Sequence, residues 1–257
     1  MKFISFTFIA SFFALLIIGC EESSTSNNNV PDKVALTINM NHYFGNELVE
    51  PDISIHTNSS GNEIIFSKLH YLMTNFKLID KDGDEVIIDS SKAYINLAEQ
   101  RVSFLLDSIP EGNYSGISFY LGVDSITNHQ NPNKFAASSP LNPIINNLYW
   151  DWMDGFIFCS VEGFHYKDEE FIGAFAYHIG LDENLMKIEI NDSFSVSENK
   201  DLDIVFDLAE YFESPNVINI TENAPITHSD KDADFGLSSK ISENLLNAFR
   251  LKGVNEQ

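Results

Sequence analysis

The sequence predicts an all-β protein, an antiparallel β-sandwich with a C-terminal amphipathic helix. Three observations point there. Val34, Leu36, Ile38 and Met40 alternate with Ala35, Thr37 and Asn39, the period of two expected of a strand with one buried face. Further strand-like runs follow at Ile64–Ile79, Glu85–Ile88, Arg101–Leu106, Tyr114–Gly122, Gly155–Phe164, Gly173–Leu181, Met186–Ile190 and Leu202–Phe206, separated by clusters of Asp, Asn, Gly and Pro. Many strands with frequent turn signals describe a sandwich or barrel. The tail changes period: Leu237, Ile241, Leu245, Leu246 and Phe249 recur at helical spacing, with Ser238 or Ser239 to cap the start and Gly253 to end it.

Composition narrows the partners. The 257 residues carry 15 Lys and Arg against 38 Asp and Glu, a formal charge of −23. Such a chain lacks the basic face that displaces counterions from nucleic-acid phosphates. With 44% hydrophobic residues, 21 Phe and 9 Tyr, it has ample material for a core. Two cysteines exclude a disulfide scaffold.

Residues 1–19 form a secretory leader: Lys2, an uncharged apolar run from Phe3 to Ile18, then Gly19. The run falls short of the roughly 20 apolar residues of a stable membrane span. Ile17-Ile18-Gly19-Cys20 resembles a bacterial lipobox, which makes Cys20 the lipidated mature N-terminus. Residues 20–32 read as a polar tether, since EESSTSNNN offers nothing to pack. Residues 33–257 are then one large domain. Its single cysteine, Cys159, lies in the apolar setting FIFCS and is expected to be a buried, inert thiol.

Several motifs bear on chemistry. Asp80-Lys81-Asp82-Gly83-Asp84-Glu85 has neither Gly at position 6 nor Glu at position 12 of a calcium loop, so it is expected to be a hairpin turn at Asp82-Gly83. The stretch Asn128–Asn147, with Pro132, Pro140 and Pro143, is a long loop of the kind that is often functional. His42 keeps the inward parity of Met40. His178 shares its strand face with Ala174, Ala176 and Gly180, which leave room around an imidazole, and His228 precedes the final helix. Neutral imidazoles converging on one point suit copper or zinc. Trp150 and Trp152, two apart, share a strand face. No G-x-S-x-G elbow, H-E-x-x-H helix or P-loop is present, and a non-enzymatic role is expected.

An ordered series of segments resembles a known family. It runs from Phe66-Ser67-Lys68-Leu69-His70-Tyr71 through Tyr114–Ser125, Asn128, Tyr149-Trp150-Asp151-Trp152, Gly155-Phe156, Glu162-Gly163 and Phe175-Ala176-Tyr177-His178-Ile179-Gly180 to Asn244–Phe249. In this order the set is similar to the MbnP-like domain, the family of the periplasmic partner protein from methanobactin operons, over about Lys33 to Phe249. The resemblance implies a β-sandwich-like envelope protein that binds copper, with a haem peroxidase of the MauG type as partner. Some members use histidines and a tryptophan oxidised to kynurenine. Carried over residue by residue, it implies His42 (with Gly45), His178 (with Gly180) and His228 as metal ligands, lined by Trp150, Trp152 and Tyr177. Trp150 is followed two residues on by Trp152 rather than His, so the modification is not carried over. The expectation is a lipid-anchored copper-binding protein of the cell envelope, on the periplasmic or surface face of the outer membrane. The alternative is a metal-free interaction module that binds a glycan or protein through the long loop.

Overall fold

The computed structural model describes residues 33–88, 91–153, 155–229 and 236–256. The leader, the tether and Cys20 lie outside the described residues. The strands are β1 (Lys33–Phe44), β2 (Glu47–Leu48), β3 (His56–Thr57), β4 (Glu63–Asp80), β5 (Glu85–Ile87), β6 (Lys92–Asn96), β7 (Ser103–Pro110) and β8 (Gly112–Leu121). After the short helices α1 (Ser125–Asn128) and α2 (Pro143–Asn146) come β9 (Tyr149–Trp150), β10 (Gly155–Lys167), β11 (Glu170–Gly180), β12 (Met186–Ile190), β13 (Phe194–Val196) and β14 (Lys200–Asp207). Then follow α3 (Leu208–Glu213), β15 (Ile226–Thr227), α4 (Leu237–Leu245) and β16 (Phe249–Glu256).

Two sheets pack face to face. The smaller runs β16-β14-β1-β2, with β7 also on β1, and the larger runs β12-β8-β4-β10-β11-β15, with short strands added along β4, β8 and β10. The all-β reading holds, but the sheets are mixed rather than antiparallel. β14 lies parallel to β1 from Leu36↔Lys200 to Tyr43↔Asp207, and β15 lies parallel to β11. Both partners return after long connections rather than tight hairpins, which is what parallel pairing requires.

The tail also departs from expectation. The helix ends at Leu245, and Phe249 opens β16, which pairs antiparallel to β14. The helix start is Gly236 at φ 75°, and Ser238, expected to cap it, is buried inside the first turn. Phe249 matches the helical period, but the open edge of β14 offers its backbone a ladder, and burying its ring there satisfies both needs. Gly253 sits within β16 at a register shift opposite Asp203.

The long central strand carries two irregularities that the alternating pattern hides: the register with β10 shifts at Ser67, moving the core-facing parity from Ile64 and Phe66 to Leu69 and Tyr71, and a second lies at Asn75. Asn75 takes a left-handed φ of 54°, and the register with β8 shifts between Thr74 and Lys77. The extra residue moves the core-facing parity from Leu69 and Tyr71 to Phe76 and Leu78. The Asp82-Gly83 turn is as expected. Gly83 has φ 89°, and the Asp80 carboxylate accepts the N–H groups of Asp82 and Asp84 at 2.8 and 2.9 Å. In the long loop, asparagines are spent on the loop itself. Asn131 caps the turn at Pro132, Asn142 caps α2, and Asn146 donates to the Pro140 carbonyl.

Between the sheets the core is aromatic. Phe206 stacks on Phe249 at 4.5 Å between ring centres and meets Tyr71 edge-on at 5.5 Å. His42 joins this cluster, with its Nε2 3.0 Å from the Tyr71 hydroxyl. Burial alone drives its imidazole from the ordinary 6.5 to about 3. Cys159 is free and fully buried, and burial pushes its thiol up.

Phe206→Ala should therefore cost about 3–5 kcal/mol, read as a lowered denaturant midpoint. The His42 shift also has a definite sign. Below about pH 6.5 the unfolded chain binds a proton that the folded chain refuses. Its contribution is whole above that pH and falls toward pH 3, by up to about 1.4 kcal/mol per pH unit. Unfolding curves for His42→Gln should fall less steeply with acid than those of the parent.

Candidate functional site

The outward face of the larger sheet carries the polar chemistry. On β11, Phe175, Tyr177 and Ile179 enter the core, so Ala176 and His178 point outward. The register places His178 beside Ser160, Ser160 beside His70, and His70 beside Asn96. One rung away, Ala176 pairs with Glu162 and Glu162 with Lys68.

Glu162 orients His178. Its Oε1 lies 3.1 Å from His178 Nε2, and its other oxygen takes Lys68 Nζ at 2.9 Å. A carboxylate only accepts, so Nε2 carries the proton and Nδ1 keeps its lone pair. Among the described residues, that Nδ1 is buried without a hydrogen-bond partner. Burial lowers the His178 pKa, which Glu162 partly offsets and His228 lowers further. Burial would raise Glu162, but hydrogen bonds from Lys68 and His178 hold it below its ordinary value. His70 is lowered to about 4, chiefly by burial, with Glu162 raising it and His178 lowering it.

A backbone clasp brings His228 to His178. Thr227 pairs in parallel with Tyr177, and the buried Ser229 hydroxyl accepts the Gly180 N–H at 2.9 Å while donating to the His178 carbonyl at 3.0 Å. Ser229 itself takes φ 64°, and its N–H bonds Thr227 Oγ1 at 3.0 Å. The two imidazoles end 5.2 Å apart between centres, at 69°.

Both tryptophans border this pair. Their indoles lie 5.7 Å apart, and His228 is 6.2 Å from Trp150 and 5.8 Å from Trp152. Trp150 is 5% exposed and Trp152 68%, so one forms a wall and the other a rim. Gly180 makes the wall possible: a Cβ there would stand 2.6 Å from both Trp150 Cζ3 and the Phe156 carbonyl oxygen.

Of the residues singled out in the sequence, His178, His228, Trp150 and Trp152 therefore come together. His42 and Tyr177 do not join them. His42 bonds Tyr71 on the core side of the sheet, whereas His70, the neighbour of Tyr71, faces outward beside the His178 rung. Tyr177 is buried in the core, its ring parallel to that of Tyr211 at 6.4 Å. Among the described residues, no three His, Cys, Asp or Glu side chains are grouped to hold a metal ion. Glu162 stands in the sequence only within the family-like series, with no role of its own, and Ser229 carries no signal there. A lone carboxylate in the otherwise apolar run Gly155–Phe164 is the signal that could have found the first.

Fold and cluster together define a class: a two-sheet β-sandwich that displays an aromatic-bordered histidine pair on the outer face of its larger sheet. The MbnP family profile matches residues 33–229, and the chain belongs to that family. Among solved structures, MbnP from Methylosinus trichosporium superposes with a TM-score of 0.60 at 15% identity, covering 87% of this chain and 99% of that one. At that identity the likeness is one of fold. No curated protein matches.

Gly180→Ala tests the architecture of the wall. The added methyl should displace the Trp150 indole, red-shift tryptophan emission and lower stability by about 1–3 kcal/mol.

Proposed function

We propose that this chain is a non-enzymatic copper-binding protein of the cell envelope, held to the outer membrane through lipidated Cys20, with His178 and His228 as its ligands. The observation that carries the reading is the imidazole pair 5.2 Å apart, one member of which has a buried Nδ1 with no hydrogen-bond partner among the described residues. Membership of the MbnP family supports the choice of copper over other metals that imidazole suits. His178 stays uncharged at neutral pH because its pKa is lowered, so no proton competes there with a metal. Trp150 and Trp152 border the pair with apolar surface. The exposed indole of Trp152 gives a haem peroxidase of the MauG type a point of contact.

Scattered carboxylates bind cations weakly on a chain of charge −23, so the test needs a competing chelator. Purified protein should then retain one copper per chain. His178→Ala and His228→Ala should each abolish retention, while His42→Ala keeps it. Glu162→Gln should weaken affinity about 10–100-fold, as expected for loss of the group that orients a ligand histidine. Retention by the His178→Ala/His228→Ala double variant would refute the assignment.

A further inference from the structure

A cavity lies at the edge of the smaller sheet. β7 covers β1 only as far as Asn39, and β2 takes up the pairing again at Tyr43. On that side of β1 the interval Met40–His42 has no strand ladder, only single bonds from Met40 N–H to the Val102 carbonyl and from Val49 N–H to the His42 carbonyl, and the cavity, of about 460 Å³, opens there, lined by residues 40–42, 48–53, 97, 98, 100 and 102. Such a volume suits a small molecule.

The lining is mixed in a specific way. Leu48 and Ile53 contribute exposed apolar surface over the buried Met40 and Val49, and His42, 2% exposed, contributes a neutral polar group. The formal charges among the lining residues are those of Glu50 and Asp52; of the neighbouring cations, Arg101 is held on the Tyr94 ring and carbonyl, and Lys252 reaches Asn41 at 3.4 Å. Burial keeps His42 uncharged down to about pH 3, so it adds no opposing positive charge.

The wall is braced. Val49 donates to the His42 carbonyl at 3.0 Å, and Asp52 donates to the Phe66 carbonyl at 2.8 Å. The Ser54 hydroxyl accepts the Glu50 N–H at 2.9 Å and lies 2.8 Å from His56 Nε2, whose Nδ1 lies 3.1 Å from Glu47. His56 in turn stacks on Phe44 at 5.1 Å. The Ser–His–Glu chain has the order of a nucleophile relay, but the hydroxyl is tied to the Glu50 backbone, so the chain serves as a strut. A braced wall spares a ligand the cost of ordering it.

We propose that this cavity binds a small organic cation with an apolar body, a protonated arylalkylamine, with the ammonium at Glu50 and Asp52 and the ring against Leu48 and Ile53. The site is independent of the copper reading, since His42 lies on the core side of the larger sheet.

Calorimetry on the purified protein at neutral pH tests it with benzylamine, methylamine and phenylacetate. Benzylamine should bind saturably at one site. Methylamine, which lacks the ring, and phenylacetate, which reverses the charge, should each bind about tenfold more weakly or not at all. Glu50→Gln/Asp52→Asn should weaken benzylamine about tenfold with an unchanged melting temperature, because both side chains are exposed. Ala98→Trp, from an exposed rim position, should plug the cavity and abolish binding. No saturable heat with benzylamine, equal affinity for phenylacetate, or binding indifferent to both variants would overturn the proposal.

Discussion

Neighbouring side chains of a strand must leave opposite faces of the sheet, and in β11 that constraint separates two chemistries one residue apart. Tyr177 goes into the core, with its ring parallel to that of Tyr211, while His178 emerges beside Glu162 and His228. The same division applies on β4, where Tyr71 bonds His42 inside and His70 faces out. A slip of one residue in either strand would exchange the two sets, burying the imidazole cluster and exposing the aromatic core. The register of β4, β10 and β11 thus sets both stability and the site.

That division explains which parts of the molecule were legible in the sequence. The inward series Leu36, Ile38, Met40 and His42 can be read from parity and is found buried. The small residues around His178 likewise announce an open outer face, and Gly180 proves to be the gap that admits Trp150. Parity does not reveal which distant segment arrives there. His178 and His228 meet because a parallel two-residue strand and the Ser229 hydroxyl hold the later segment, and neither feature has a sequence period. The pairing of His42 with His178 fails for the complementary reason: shared residue type carries no information about the side of a sheet.

The fold misreadings are of the same kind. Parallel β1–β14 pairing depends on how the chain returns, not on the composition of either strand. Phe249 fits the helical period of Leu245, yet it is committed to a strand by a free backbone edge elsewhere. The register shift at Ser67 and the left-handed Asn75 each change parity within one continuous run, so a strand that reads as uniform has three differently phased stretches. Local pattern describes how a segment prefers to fold, and tertiary pairing decides among the options.

Cys159 has a practical consequence. It sits in β10, fully buried, paired with Tyr71 on one side and Ile179 on the other. Fraying of an edge strand cannot uncover it, so a thiol reagent reaches it only when the larger sheet opens at its centre. The chain therefore contains its own reporter of global unfolding, whose labelling rate separates collapse of the sandwich from loosening at its rims.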